Sequence, residues 1–152
     1  MRKLVFLVVI SILFSISCEK DDICLEDTTP NLVLKFIDFQ NDTIIKTLEI
    51  DSIKALNKAL ITSFTSTSKD SISLPLDFNE NFTKYEISSG GTSDTISFTY
   101  ERKDIFVSRS CGYKTIFENL EIESTTNHWI KGFAITNTII DNDTLSHINI
   151  FH

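Results

Sequence analysis

Glycine and proline are scarce in this 152-residue chain, which holds four of the first and two of the second. Collagen-like and low-complexity chains need far more of both, so neither reading applies. There is no phosphate-cradling glycine loop, no G-x-S-x-G elbow, no H-E-x-x-H and no C-x-x-C. The signatures of many common catalytic sites are therefore missing. The three histidines, His128, His147 and His152, are scattered. A zinc-type site needs three or four converging ligands, and no histidine stands at ligand spacing from carboxylates, so neither a metal nor another cofactor is expected. Basic residues are outnumbered 14 to 21, a net charge of −7, and form no cluster. Nucleic-acid affinity rests on Lys and Arg contacts to phosphate, so no nucleic-acid partner is expected. The same balance disfavours attraction to anionic lipid headgroups. No apolar run reaches the roughly 20 residues that cross a bilayer as a helix.

What is present starts at the N-terminus. Met1-Arg2-Lys3 is a short positive segment, and Leu4–Ile16 is apolar except for Ser11. That is the pattern of a signal peptide. Ser15-Ile16-Ser17-Cys18 resembles a bacterial lipobox, with Ser15 where leucine is usual. The resemblance implies that residues 1–17 are removed and that Cys18 is lipidated. One acyl chain binds membrane marginally, but two or more anchor stably, at about 0.8 kcal/mol per buried methylene. Lys20-Asp21-Asp22, close behind Cys18, resembles the surface-export signal of Bacteroidetes-type lipoproteins. The expected location is the outer membrane, lipid-anchored and facing the cell surface. The alternative is a solvated polar tether without a signal.

Residues 18–30 read as a lipidated, polar tether, and residues 31–152 as one domain long enough to bury a core. Apolar residues make up 41% of the chain and twelve are phenylalanine, which excludes disorder. After lipidation two cysteines remain, Cys24 and Cys111. An even pair in an oxidising compartment favours a disulfide, which would stabilise the fold by roughly 4–5 kcal/mol in the chain-entropy model. The competing reading is two free thiols.

Strand signals dominate the domain. Leu32, Leu34 and Phe36 alternate with Val33 and Ile37; Thr43–Ile50, Ser71–Leu76 and the stretch through Tyr85 and Ile87 follow. Ser88–Asp94, with Gly90-Gly91 at its centre, is the strongest turn, because paired glycines supply positive φ at no steric cost. Ile96–Tyr100, Ile105–Ser110, Thr115–Ile122, Trp129–Ile140 and Leu145–Phe151 complete the set. Asp51–Phe64 is ambiguous: Ile53, Leu56, Leu60 and Phe64 approach helical spacing with Asp51 as N-cap, while its Ser/Thr content favours strand. The expected fold is all-β, an antiparallel sandwich or partly open barrel of about eight strands, with room for one short helix.

Few residues carry a chemical signal. Cys111, within Ser108–Tyr113, could act as a nucleophile only with a base near it, and His128 is the nearest histidine in sequence. Pairing with Cys24, with Gly112 permitting the turn, is the better reading. Trp129 could stack on a sugar, although a core tryptophan is the commoner case. Asp followed by Ser or Thr and an apolar residue recurs five times, placing Thr43, Ser52, Ser71, Thr95 and Thr144 as candidate O-glycosylation acceptors. The motif resembles that of exported Bacteroidetes-type proteins; it is also how a turn hands over to a strand.

Cys18–Cys24, Thr29-Pro30 before the first strand, and Ser108–Tyr113 together resemble an uncharacterised family of Bacteroidetes-type outer-membrane lipoproteins. The resemblance implies a location and no activity. Two function classes follow from the sequence. One is a non-catalytic envelope lipoprotein that binds an envelope protein or a glycan. The other is a hydrolase with an unrecognised Asp/Glu site, which a pocket with converging carboxylates would support.

Overall fold

The computed structural model describes Cys24 and residues 28–152. Ten strands follow in order: β1 (Leu32–Ile37), β2 (Leu48–Ile50), β3 (Ser52–Ala55), β4 (Thr67–Lys69), β5 (Ser71–Leu74), β6 (Phe82–Ser89), β7 (Thr92–Ser108), β8 (Gly112–Thr125), β9 (Gly132–Ile135) and β10 (Ile148–Phe151). Among the described residues the only helical element is a 3-10 turn at Thr62–Phe64. The ambiguous segment thus splits into strand β3 and this turn. Asp51 does not cap a helix there; its carboxylate accepts the Gly91 N–H at 2.8 Å.

One four-stranded sheet has the order β5-β1-β10-β9 and a second the order β3-β6-β7-β8; β2 and β4 form a separate ribbon. The two larger sheets contribute to one buried apolar cluster, the first through Leu32, Leu34, Phe36, Leu74 and Ile150, the second through Ile53, Ile87, Ile96, Phe98 and Phe117. This is a β-sandwich. Pairing is antiparallel except between β1 and β10, which run parallel with Leu34 opposite Ile148. In β1 both alternating faces are buried, Leu32, Leu34 and Phe36 on one and Val33 and Ile37 on the other.

β6 and β7 form the expected hairpin, with Gly90 and Gly91 at φ 58° and 74°. β7 is longer than its pattern suggested. The alternation over Ile96–Tyr100 and Ile105–Ser110 predicts two separate strands, yet β7 runs unbroken for 17 residues. Its partner β8 carries a bulge opposite Tyr100, where Asn119 takes φ 54°. Asparagine tolerates this left-handed conformation, and the extra residue lets both Phe117 and Leu120 reach the core. Two expected strands shrink. Within Thr43–Ile50 only β2 forms, because Asn41 accepts hydrogen bonds from the N–H and hydroxyl of Thr43 and holds a turn. Within Trp129–Ile140 only β9 forms.

Asp94 explains the N-terminal part of the second shortening. It is completely buried. Its carboxylate accepts the backbone N–H groups of His128, Trp129 and Ile130 at 2.8–3.0 Å and the Thr126 hydroxyl at 2.7 Å. The His128 ring Nδ1 lies 2.8 Å away. Burial alone would raise the Asp94 pKa, but these donors outweigh it and hold the carboxyl at about 2. Residues 126–130 therefore wrap around a carboxylate instead of joining a ladder.

Candidate binding cleft

Two loops and one strand enclose a cleft of about 470 Å³. One wall is Ala55–Lys58, which turns away from β3. Asn57 sits there at φ 59°, the Lys58 N–H bonds the Ala55 carbonyl, and the Leu56 N–H bonds Lys84 on β6. The other wall is Pro75–Glu80. Pro75 cannot donate to a ladder and follows the last residue of β5. The floor is the start of β6, Phe82 to Tyr85.

The Pro75–Glu80 loop is fixed from beneath by side chains of the core. The Tyr85 hydroxyl donates to the Pro75 carbonyl. The Tyr100 hydroxyl donates to the Asp77 carbonyl at 2.9 Å, and the Asp77 N–H donates to the Thr83 hydroxyl at 2.8 Å. Thr83 and Tyr100 are themselves 2.5 Å apart. Since the tyrosine has one proton and gives it to Asp77, the Thr83 hydroxyl must donate to Tyr100, which closes a ring of three hydrogen bonds. Arg102 adds two more, to the Asn81 side chain at 2.7 Å and the Phe78 carbonyl at 2.8 Å. Asp77 caps its own turn by accepting the Asn79 N–H. Burial pushes the Tyr85 hydroxyl well above the ordinary tyrosine range, aided by nearby Tyr100 and Asp77. Burial also raises Tyr100, against the hydrogen bonds from Thr83 and to Asp77. Both phenols stay protonated as donors; they are braces and not bases.

Above this braced loop lie aromatic faces in contact with water. Phe78 is 62% exposed and Phe82 48%, with Leu56 beside them on the opposite wall. Asn57, Lys58, Asn79, Glu80 and Lys84 supply donors and acceptors around the rim. A rigid loop displaying apolar rings among polar groups is equipped to bind, because little ordering is left for the ligand to impose.

The residues singled out from sequence lie elsewhere. Cys18, Lys20, Asp21 and Asp22 are outside the described residues. Cys24 and Cys111 form a disulfide with Cα atoms 4.9 Å apart. Cys111 is therefore no nucleophile, and His128 is bound to Asp94 near the opposite end of β7, roughly 45 Å away at strand rise. Trp129 packs against the core and donates its ring N–H to the Ile87 carbonyl at 3.1 Å, so it serves the sandwich and not a sugar. His147 is fully buried, accepts the Val33 N–H on Nδ1, and has its pKa lowered by burial. Of the five acceptor candidates, Thr43, Ser71 and Thr144 are exposed while Ser52 and Thr95 are half-buried. Thr43 and Thr144 share one local geometry: each hydroxyl donates to the asparagine two residues before it. Among the described residues no three His, Cys, Asp or Glu side chains group to hold a metal. No described helix is long and apolar enough to cross a membrane.

The cleft itself was missed at the sequence level. The signal was there: Phe78-Asn79-Glu80-Asn81-Phe82 sets two large rings in an otherwise polar loop, which is unusual unless the rings pack or bind.

A family model described as a family of unknown function, DUF6452, matches residues 40–152. No curated protein and no solved structure matches the chain.

Proposed function

We propose, for a chain that belongs to the DUF6452 family, a non-catalytic role: an envelope lipoprotein, anchored through Cys18 at the outer membrane, that holds a glycan in the cleft between Ala55–Lys58 and Pro75–Glu80. The observation that carries this reading is the braced loop presenting Phe78 and Phe82 to solvent. Sugar rings stack their C–H faces on aromatic rings, and their hydroxyls need the amide and charged groups that ring this cleft. The lipobox at Cys18 and the Lys20-Asp21-Asp22 segment support the location. An envelope protein seated on the same rings is the second reading, favoured by Leu56 and the apolar character of the walls. The hydrolase alternative would draw on Asp77 and Glu80. Against it, one Asp77 oxygen is already engaged by the Asn79 N–H. Glycosylation, if the acceptor motif operates, falls on the exposed Thr43, Ser71 and Thr144.

The test is retention of the detergent-solubilised full-length protein on an array of bacterial surface glycans. Phe78→Ala and Phe82→Ala should each weaken retention by up to about tenfold, the equivalent of the 0.5–1.5 kcal/mol of an aromatic contact. Full retention by the double variant refutes the cleft. Absence of glycan binding together with photocrosslinks from position 82 to an envelope protein selects the second reading. Cys18→Ser should leave the membrane fraction or stay unprocessed; normal fractionation refutes the anchor.

A further inference from the structure

Beyond Thr99, β7 outruns its neighbour. β6 registers only with residues 92–99, whereas Glu101–Ser108 pair with β8 alone, ending at Gly112. Thr138 and Ile140 still bond Leu120 and Phe117 on the outer side of β8, so the ribbon becomes two-stranded from Lys103 and Ile116 onward, an arm of roughly 17 Å at strand rise. A lone hairpin is marginal in water. This one is secured by the Cys24–Cys111 bond at its tip, by the Lys103–Glu118 ion pair at 2.8 Å and by the Thr115 hydroxyl donating to Asp104 at 2.6 Å. Near the end, Phe106 and Tyr113 meet edge to face with centroids 5.4 Å apart, 58% and 71% exposed. Residues 105–114 carry Arg109 and Lys114 and no acid, although the chain as a whole is at −7.

We propose that this tip docks on the phospholipid surface beside the anchor, with Phe106 and Tyr113 in the interfacial layer and Arg109 and Lys114 on lipid phosphates. The inference rests on the reading of Cys18 as lipidated. Six residue steps then join the lipid to Cys24, a reach of about 20 Å or less when fully extended. Cys24 is bonded to Cys111, so the tip is the part of the domain tied closest to the bilayer. Aromatic rings favour the membrane interface, where one end is apolar and the other wet. Arginine and lysine lay their stems along apolar surface and lift their charge to the phosphates. Net charge suggested avoidance of anionic headgroups; the local charge of the tip is the reverse, and short-range contact depends on the local value because salt screens the rest within about 8–10 Å.

The full-length lipidated protein is reconstituted into phosphatidylethanolamine/phosphatidylglycerol vesicles with brominated acyl chains, as the natural sequence and as Phe106→Trp. Trp129 is the only native tryptophan and lies near the far end of β7, so it reports the background. The expected result is loss of the added emission at position 106 with Trp129 emission retained, and weaker loss when Arg109→Glu and Lys114→Glu are added. If the protein floats with the vesicles but the added indole is unquenched, docking is refuted and the anchor stands. If it does not float, the anchor reading fails and the docking with it. If position 106 is shielded from acrylamide in native envelopes but not in lipid vesicles, the tip contacts a protein and the proposal is overturned.

Discussion

Replacing Asp94 by asparagine keeps the shape of the side chain and removes its charge and one acceptor. The structure shows what that does. One carboxylate oxygen faces the Thr126 hydroxyl, the His128 N–H and the His128 ring; the other faces the Trp129 and Ile130 N–H groups. An amide has one oxygen, so its NH2 must point at one of these donor sets. Leaving buried donors unpaired costs about 1–3 kcal/mol each, and breaking a buried charged network about 3–5 kcal/mol. Asp94→Asn should therefore destabilise by about 3–5 kcal/mol, lowering Tm by roughly 10–20 °C for a domain of this size. Urea unfolding followed by circular dichroism reads this as a lower midpoint at unchanged slope. The pH dependence gives a second check. The folded Asp94 pKa of about 2 lies below its unfolded value. Its stabilisation is fully present above the unfolded pKa and is lost as pH falls through about 2, which amounts to about 2 kcal/mol. The gap between wild type and variant should narrow by that amount between pH 5 and pH 2. A loss below about 1 kcal/mol, or a gap independent of pH, would refute the claim that this carboxylate organises residues 126–130.

Three further outcomes are expected. Tyr100→Phe removes one member of the hydrogen-bonded ring under the cleft; it should cost about 1–2 kcal/mol in urea unfolding and weaken glycan retention without altering either wall. Cys111→Ser opens the 87-residue loop and should destabilise by roughly 4–5 kcal/mol, read by the same unfolding assay on protein kept free of reductant. Burial lowers the pKa of His147, so its stabilisation is complete above the unfolded histidine range and is lost as pH falls from there through the folded value. His147→Asn, whose side chain can still accept the Val33 N–H, should flatten the slope of stability between pH 7 and pH 5, with His152 supplying what remains.

Local chemistry made part of this fold legible. Gly90-Gly91 announced a hairpin and the hairpin is there; the even cysteine pair announced a disulfide and it joins Cys24 to Cys111. What failed was information carried by distant partners. Asp94 looks like an ordinary turn residue until Thr126–Ile130, more than thirty positions away, folds onto it. The parallel contact of β1 with β10 leaves no mark on either strand, since both are apolar whichever way they pair. Glu101-Arg102-Lys103-Asp104 read as a break between strands because a run of charge normally ends a half-buried strand. Residues 101–104 of β7 are all exposed, yet their backbone pairs with Phe117 and Ile116 of β8, which are buried, so pairing continues where alternation has stopped. The cleft was invisible for a related reason: its rings matter only because Tyr85, Tyr100 and Arg102, none of them in the loop, hold that loop still.

The same strand links three features behind the proposed binding role. β7 carries Asp94 near one end, Tyr100 near the middle and Phe106 towards the other end. Tyr100 braces the loop that presents Phe78, and six residues separate it from Phe106, roughly 20 Å at strand rise. If the tip rests on the bilayer, the cleft stands about that far above the interface, outside the headgroups yet unable to wander from them. A binder held at that height meets surface glycans and the outer parts of membrane-embedded neighbours, and little else. The disulfide sets this height as much as the arm does, because without it the chain from Cys18 could extend to Pro30, about 40 Å, and the orientation would be free. Reduction should therefore change which neighbours crosslink to position 82 while the anchor holds. Unchanged neighbours after reduction would mean that height and orientation are not what selects the partner.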